Sequence, residues 1–200
     1  IFLSGRLAYV PQRPVLLAGC SVRENVLCGL AFDAARYEKA LAMSTLAEDL
    51  APLPEGDASG VEGLAGEASR MCLQLARAFY CEAEILLFDD PFVHMEPERA
   101  KRVMTHGIRA ATRQKERTVV LATQSLSLLV DVETVVVIRN GTVFEQGEYR
   151  TLVSMPTEFS RMLLICNQKD AARARDRRRV TSGEPCPFLC YETEADPMEE

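Results

Sequence analysis

The 200-residue chain has no tryptophan, two histidines and no apolar run near the ~20 residues that a membrane-spanning helix needs. No secretory signal pattern stands at its start, and no internal repeat divides it. It lacks a positive surplus. The formal net charge of −6 argues against a general nucleic-acid binder. It also lacks the even, regularly spaced cysteines of a disulfide framework. Its seven, at 20, 28, 72, 81, 166, 186 and 190, are scattered and odd in number, which predicts reduced thiols in a cytosolic setting. Cys186 and Cys190 have no third and fourth ligand nearby in sequence, so no metal site is expected there. The first residue is Ile1 rather than Met, which fits a fragment or a processed product.

What is present is an ordinary α/β composition, 48% apolar and 26% charged, long enough for one domain with a real core. The most informative stretch is LARAFYCEAEILLFDDP, residues 75–91. Here an amphipathic helix ends and a short apolar strand, Ile85–Phe88, runs into Asp89 and Asp90. A strand that apolar is expected to be buried on both faces of a parallel sheet. Its carboxylates then lie at the carboxyl edge, where such sheets bind ligands. Two adjacent acids there call for a cation, and a nucleotide-bound Mg²⁺ is the usual one. The plainer alternative is a pair of helix N-caps before Pro91.

Around this stretch the elements alternate. Leu7–Val10 reads as a strand stopped by Pro11. Val22–Leu27 reads as a helix with a Ser21/Glu24 capping box, and Ala34–Met43 as a helix opened by Asp33. Pro52–Gly66 is loop by its prolines and glycines. Ser69–Tyr80 is helical, with Met71, Leu75 and Ala78 near one face. Glu98–Ala111 is expected to be a helix, Thr118–Ala122 a strand and Ser125–Val130 a short helix. Thr134–Arg139 and Thr142–Gln146 flank Asn140-Gly141, a strong hairpin signal. Phe159–Ile165 is an apolar helix that closes the globular part. Strands alternating with helices predict an α/β fold with a parallel sheet. Beyond about Asn167 the chain turns basic, then proline-containing and acidic, as expected of a disordered tail or linker.

In order, these segments resemble the nucleotide-binding domain of ABC transporters. The strongest likeness is to the first such domain of subfamily C, the multidrug-resistance-associated type, and it covers roughly residues 5–165. AYVPQRPVLLAGCSVRENVLCG is similar to the Q-loop segment, LARAFYCEAEILLFDDP to the signature helix and Walker B strand, TVVLATQ to the switch strand, and VVVIRNGTVFEQGEY to the closing hairpin. The resemblance implies a partial ABC-type ATPase domain over residues 1–165, with a parallel-sheet core and a helical signature subdomain, followed by a charged tail over 166–200. It implies ATP and Mg²⁺ as cofactors, with Asp89 holding the metal. Asp90 stands where the family's catalytic Glu usually does, and its carboxylate is one methylene shorter. Gln12 would sense the metal or the γ-phosphate, and Gln124 stands in for the switch histidine. Gln can donate a hydrogen bond but cannot shuttle a proton near neutral pH. The implied partners are a second nucleotide-binding domain and transmembrane domains, with this domain on the cytosolic face of a membrane.

The departures from the family pattern are chemical. No GxxxxGK[ST] phosphate loop occurs in the chain; the resemblance puts it upstream of Ile1. The aligned sheet then lacks strands, so core faces are expected to be partly exposed. The signature falls at Ala65–Ser69 or, shifted by one, at Leu64–Ala68. Both frames keep Gly66 and place Glu67, an anion, where the family loop meets a phosphate of the partner site. His94 in the segment after the carboxylates, and His106 in the following helix, are expected to face solvent or an interface. These features leave two readings: an ATP-driven exporter domain, or a non-hydrolysing regulatory or structural domain, the latter including the product of a decaying gene copy.

Overall fold

The computed structural model describes residues 5–113, 117–130 and 132–168. It divides into two compact units, Ile1–Leu128 and Leu129–Glu200. The tail expected over 166–200 lies almost wholly outside the described residues.

The first unit is built on three parallel strands in the order β1 (Leu7–Val10), β2 (Ile85–Asp89) and β3 (Thr118–Ala122). Val10 pairs with Phe88 and Phe88 with Leu121, so the carboxyl ends of all three strands share one edge. The helices that follow β1 are α1 (Val22–Leu27), α2 (Ala34–Ser44), α3 (Ala47–Leu50) and α4 (Gly66–Tyr80). Between β2 and β3 one continuous helical run comprises α5 (Pro97–Arg102), a π turn (Val103–Ile108) and α6 (Arg109–Thr112). The expected elements form with small changes of bounds. Helix α1 has the capping box, with Ser21 and Glu24 satisfying each other's backbone. Asp33 caps α2 by accepting from the Arg36 amide at 2.8 Å. The Ser125–Val130 helix shrinks to a single 3₁₀ turn, Leu126–Leu128. The N-cap alternative for Asp89 and Asp90 fails, because α5 starts only at Pro97.

Helix α4 is the centre of the unit. Met71, Cys72, Leu73, Leu75, Ala76, Ala78, Phe79 and Tyr80 are all buried, so it is apolar around most of its circumference rather than along one stripe. It packs on α1, α2 and β1, and the Phe79 ring meets Phe88 of β2 at 6.0 Å. One sheet face is thereby covered: Val10, Leu86 and Phe88 are buried. The other face is open among the described residues, with Tyr9 and Val120 half-exposed and Ile85, Leu87 and Asp89 only partly covered. Two-sided burial of β2 is therefore corrected to one-sided. The strand alternates because only one layer of helices covers it here.

The π turn brings Gly107 against α2. A Cβ there would lie 2.5 Å from the Met43 carbonyl oxygen and 3.0 Å from the Phe79 ring, so the contact requires glycine. The loop before α4 is tied down along its length. Gly60 bridges Ser21 in antiparallel fashion, Val22 N–H donates to Ser59 O at 2.9 Å, and Val61 N–H donates to Cys20 O at 3.3 Å. Arg23 grips Asp57 through two bonds of 2.8 and 2.9 Å.

The second unit holds the hairpin β4 (Thr134–Arg139) and β5 (Thr142–Glu148), then α7 (Tyr149–Ser154) and a helix α8 over residues 158–168. Asn140 and Gly141 both take positive φ, 50° and 76°, the conformation that a two-residue hairpin turn needs. Val135, Leu152, Phe159 and Leu163 form its small core, and the Tyr149 and Phe159 rings meet at 5.8 Å. Among the described residues, no helix is long and apolar enough to cross a membrane.

Candidate functional site

Strand register assembles the site. Because β1, β2 and β3 end together, the residues just past each end are neighbours at one edge: Gln12 after β1, Asp89 and Asp90 at the tip of β2, and Thr123 and Gln124 after β3. Gln12 and Gln124 are exposed, Asp89 is half-buried, and Asp90 is buried at 7% exposure.

The two carboxylates live in different surroundings. Asp89 belongs to the open sheet face and accepts a 3.2 Å hydrogen bond from the Tyr9 hydroxyl. Desolvation, then the hydrogen bond and charge of Asp89, push the Tyr9 phenol above its ordinary value, so Tyr9 stays a donor at neutral pH. Asp90 turns the other way. Its φ of +42° is a left-handed conformation that Asp tolerates better than most residues. Its amide donates to Ala122 O at 2.7 Å. Its Oδ1 accepts from Thr123 Oγ1 at 2.9 Å and, more weakly, from the Gln124 amide at 3.5 Å. The Thr123 hydroxyl in turn accepts from Ser125 N–H at 3.0 Å. Asp90 is thus clasped to the end of β3, while Asp89 presents its carboxylate at the open edge.

The segment after Gln12 is braced from below by α4. The Arg77 guanidinium donates to Asn25 O at 2.8 Å, Asn25 Oδ1 at 2.8 Å and Val15 O at 2.9 Å. Gln74 Oε1 accepts from Val15 N–H at 3.2 Å. Asn25, fully buried, accepts from Leu17 N–H at 2.8 Å and donates to Leu17 O at 3.1 Å. Burial draws the Arg77 guanidinium below its ordinary value, although it remains cationic.

Gly66 and Glu67 stand apart from the carboxylates. Gly66 enters α4 with φ +82°, and Glu67 lies in the first helical turn, ion-paired to Arg70 at 3.4 Å. Among the described residues no hydrogen bond or ion pair joins either of them to Asp89, Asp90 or Gln124. The first turn of α4 is anchored by Ser69, whose hydroxyl sits 2.7 Å from Asp49 Oδ1, while Arg99 of α5 grips the same Asp49. His94 and His106 are both exposed, as expected.

Among the described residues no group of three or more His, Cys, Asp or Glu is gathered to hold a metal. Asp89 alone suits a hard, oxygen-loving ion that keeps most of its waters or takes phosphate oxygens, which is the habit of Mg²⁺. The described residues offer such an ion one carboxylate, Asp89. They do not supply a phosphate cradle. Tyr9, Asn25, Arg77 and Thr123 are the contributors that sequence reasoning misses. Each acts through a partner distant in sequence, so no local pattern marks it.

No family model matches the chain. Known proteins do. ATP-binding cassette sub-family C member 3 of Homo sapiens is 34% identical over 170 residues, spanning 84% of this chain and 11% of that protein. ABC transporter C family member 13 of Oryza sativa subsp. japonica is 32% identical over 174 residues, again 84% of this chain and 11% of that protein. ABC transporter C family member 3 of Dictyostelium discoideum is 27% identical across the whole chain, which spans 14% of its length. The chain thus covers little more than a tenth of the relatives it matches. Among solved structures, a bacterial Atm1-family ABC exporter with ATP bound superposes with a TM-score of 0.69 at 25% identity, over 78% of this chain and 28% of that one. Motif order, parallel-sheet fold and these relatives agree: the chain belongs with the ABC domains of subfamily C.

Proposed function

We propose that the chain is part of a nucleotide-binding domain in an ATP-driven subfamily C membrane exporter, most like the first of its two such domains. The observation that carries this reading is the convergence of Gln12, Asp89, Asp90 and Gln124 at one edge of three parallel strands in register. In it, residues 1–165 form one partial ABC domain on the cytosolic face, residues 166–200 a charged tail, and the partners are transmembrane domains and a second nucleotide-binding domain. Mg²⁺-ATP, when bound, supplies the phosphoanhydride whose binding or hydrolysis drives transport.

Within this reading Asp89 is the metal carboxylate and Tyr9 orients it. Gln12 and Gln124, both exposed and just past the strands that flank β2, are the candidate contacts to the metal or terminal phosphate. Gly66 and Glu67 face the partner's nucleotide, with Glu67 weakening that site by like charge. The donors that cradle the phosphates come from elsewhere in the full-length protein.

One observation favours the alternative of a non-hydrolysing regulatory or structural domain. Asp90, in the position of the water-polarising base, is buried and has Oδ1 held by Thr123. A base so held is poorly free to reach a water, and errors of about 1 Å in position cost roughly 100-fold in rate. The experiment is ATP turnover and Mg²⁺-dependent ATP binding by the full-length protein, wild type against Asp89→Asn and Asp90→Asn. Loss of Mg²⁺-dependent binding in Asp89→Asn supports the nucleotide site. Turnover lost in Asp90→Asn supports hydrolysis at this site, and turnover unchanged in both variants supports the structural role.

A further inference from the structure

Far from the carboxylates, beside the starts of β2 and β3, the first unit has a hollow of about 310 Å³ between α2 and the end of α4. Its floor is apolar: Ala40, Met43 and Phe79. Its rim carries three cations, Arg36, Lys39 and Arg117, and two carboxylates, Asp33 and Glu82. The carboxylates are already committed. Asp33 accepts the Arg36 amide at 2.8 Å as the cap of α2, and Glu82 accepts from Arg36 Nη1 at 2.9 Å. Arg36 also lies over the Tyr80 ring at 4.3 Å and donates to Tyr80 Oη and Ala31 O, both at 3.1 Å. Its Nε is buried and has no hydrogen-bond partner. Among the described residues Lys39 and Arg117 make no hydrogen bond or ion pair. Lys39 and Arg117, neither held by a hydrogen bond or a close ion pair among the described residues, therefore line a hollow with an apolar floor. Its volume lies at the lower end of the small-ligand range, about 300–1,000 Å³.

We propose that this hollow binds a small organic anion. Lys39 and Arg117 hold its acidic group, and its apolar body lies on Met43 and Phe79. The cations set the sign of the ligand, because three of them stand against two carboxylates on the rim. The floor sets its shape, because covering apolar surface favours a carbon skeleton over a bare inorganic ion. The bound molecule would rest on the same Met43 and Phe79 against which Gly107 packs, so occupancy braces the π turn from below. This site does not depend on the nucleotide reading, since it shares no residue with the Asp89 edge.

The test is titration calorimetry of the full chain with phenyl phosphate, benzoate and inorganic phosphate at constant ionic strength, on the wild type and on Lys39→Gln and Arg117→Gln. Saturable binding of phenyl phosphate or benzoate is expected, with inorganic phosphate at least about tenfold weaker for want of an apolar body. Each substitution should weaken the organic anion about tenfold, the cost of one charge-assisted contact. Lys39 is exposed and Arg117 half-buried, and among the described residues neither makes a hydrogen bond, so the variants are expected to fold. No saturation by either aromatic anion, equal affinity for inorganic phosphate, or affinity unchanged in both variants overturns the proposal.

Discussion

The Thr123 hydroxyl stands 2.9 Å from Asp90 Oδ1 and joins the end of β3 to the tip of β2. Sheet pairing alone would bring the strands together. This bond fixes which way the second carboxylate turns, and so leaves Asp89 alone at the open edge. It also supports a backbone conformation, φ +42°, that Asp adopts only at some cost.

Thr123→Val is therefore expected to destabilise the chain by roughly 1.5–3 kcal/mol, because a buried carboxylate loses its main donor. Thr123→Ser should recover most of the loss. Urea unfolding midpoints of the three proteins check this, and a midpoint unmoved in the Val variant would show that Asp90 is held by its backbone alone.

Arg77→Lys should free the segment after Gln12. Lysine keeps the charge but cannot reach Val15 O, Asn25 O and Asn25 Oδ1 with one planar fork. Hydrogen exchange at the Val15 and Leu17 amides should rise at least tenfold, equivalent to about 1.4 kcal/mol of lost protection. Exchange at Leu86 and Phe88 in β2 should change much less.

Gly107→Ala should cost about 1–3 kcal/mol, since the methyl would be driven into the Met43 carbonyl and the Phe79 ring. Gly29→Ala is a useful control. Unlike Gly107 it has a positive φ, +83°, so alanine there is strained through its own backbone, but a Cβ there meets nothing within 4 Å. A thermal melt that ranks Gly29→Ala as the worse variant would contradict the packing explanation.

Cys72 is a chemical probe of the core. Burial pushes its thiol up to about 11, from an unfolded value of about 8.5. Between those values the unfolded chain has released a proton that the folded chain keeps. Stability is thus full below about pH 8.5, falls as pH rises to 11, and loses roughly 3 kcal/mol by then. The difference in unfolding free energy between wild type and Cys72→Ala isolates this slope from other alkaline titrations. At pH 7.5, mass spectrometry after iodoacetamide treatment should find exposed Cys28 alkylated and Cys72 intact.

How much of this was legible beforehand follows from where each signal resides. Strand β3, the α1 capping box, the Asp33 cap and the Asn140-Gly141 turn are local features, read within a few residues, and they form where expected. That the residues following β1, β2 and β3 fall at one sheet edge was also legible, because in-register parallel strands end together. Three things were not. Tyr9 reaches Asp89 across 80 positions, and no local period marks it. The π turn falls where Gly107 passes close to Met43 and Phe79, a tertiary contact that no local pattern marks. One-sided burial of β2 depends on what covers the sheet, and a strand's own side chains do not state that.

The loop between Pro52 and Gly66 has a further meaning for anyone who would cut or extend this chain. Its composition advertises a permissive site for a protease cleavage sequence or an inserted tag. Its hydrogen bonds say otherwise. Ser59, Gly60 and Val61 are stitched to Cys20, Ser21 and Val22, and Asp57 is gripped by Arg23. An insertion there would unzip the entry to α1 and disturb the approach to α4 at once. It is a seam between two parts of the chain, not a slack connector, and grafts belong elsewhere.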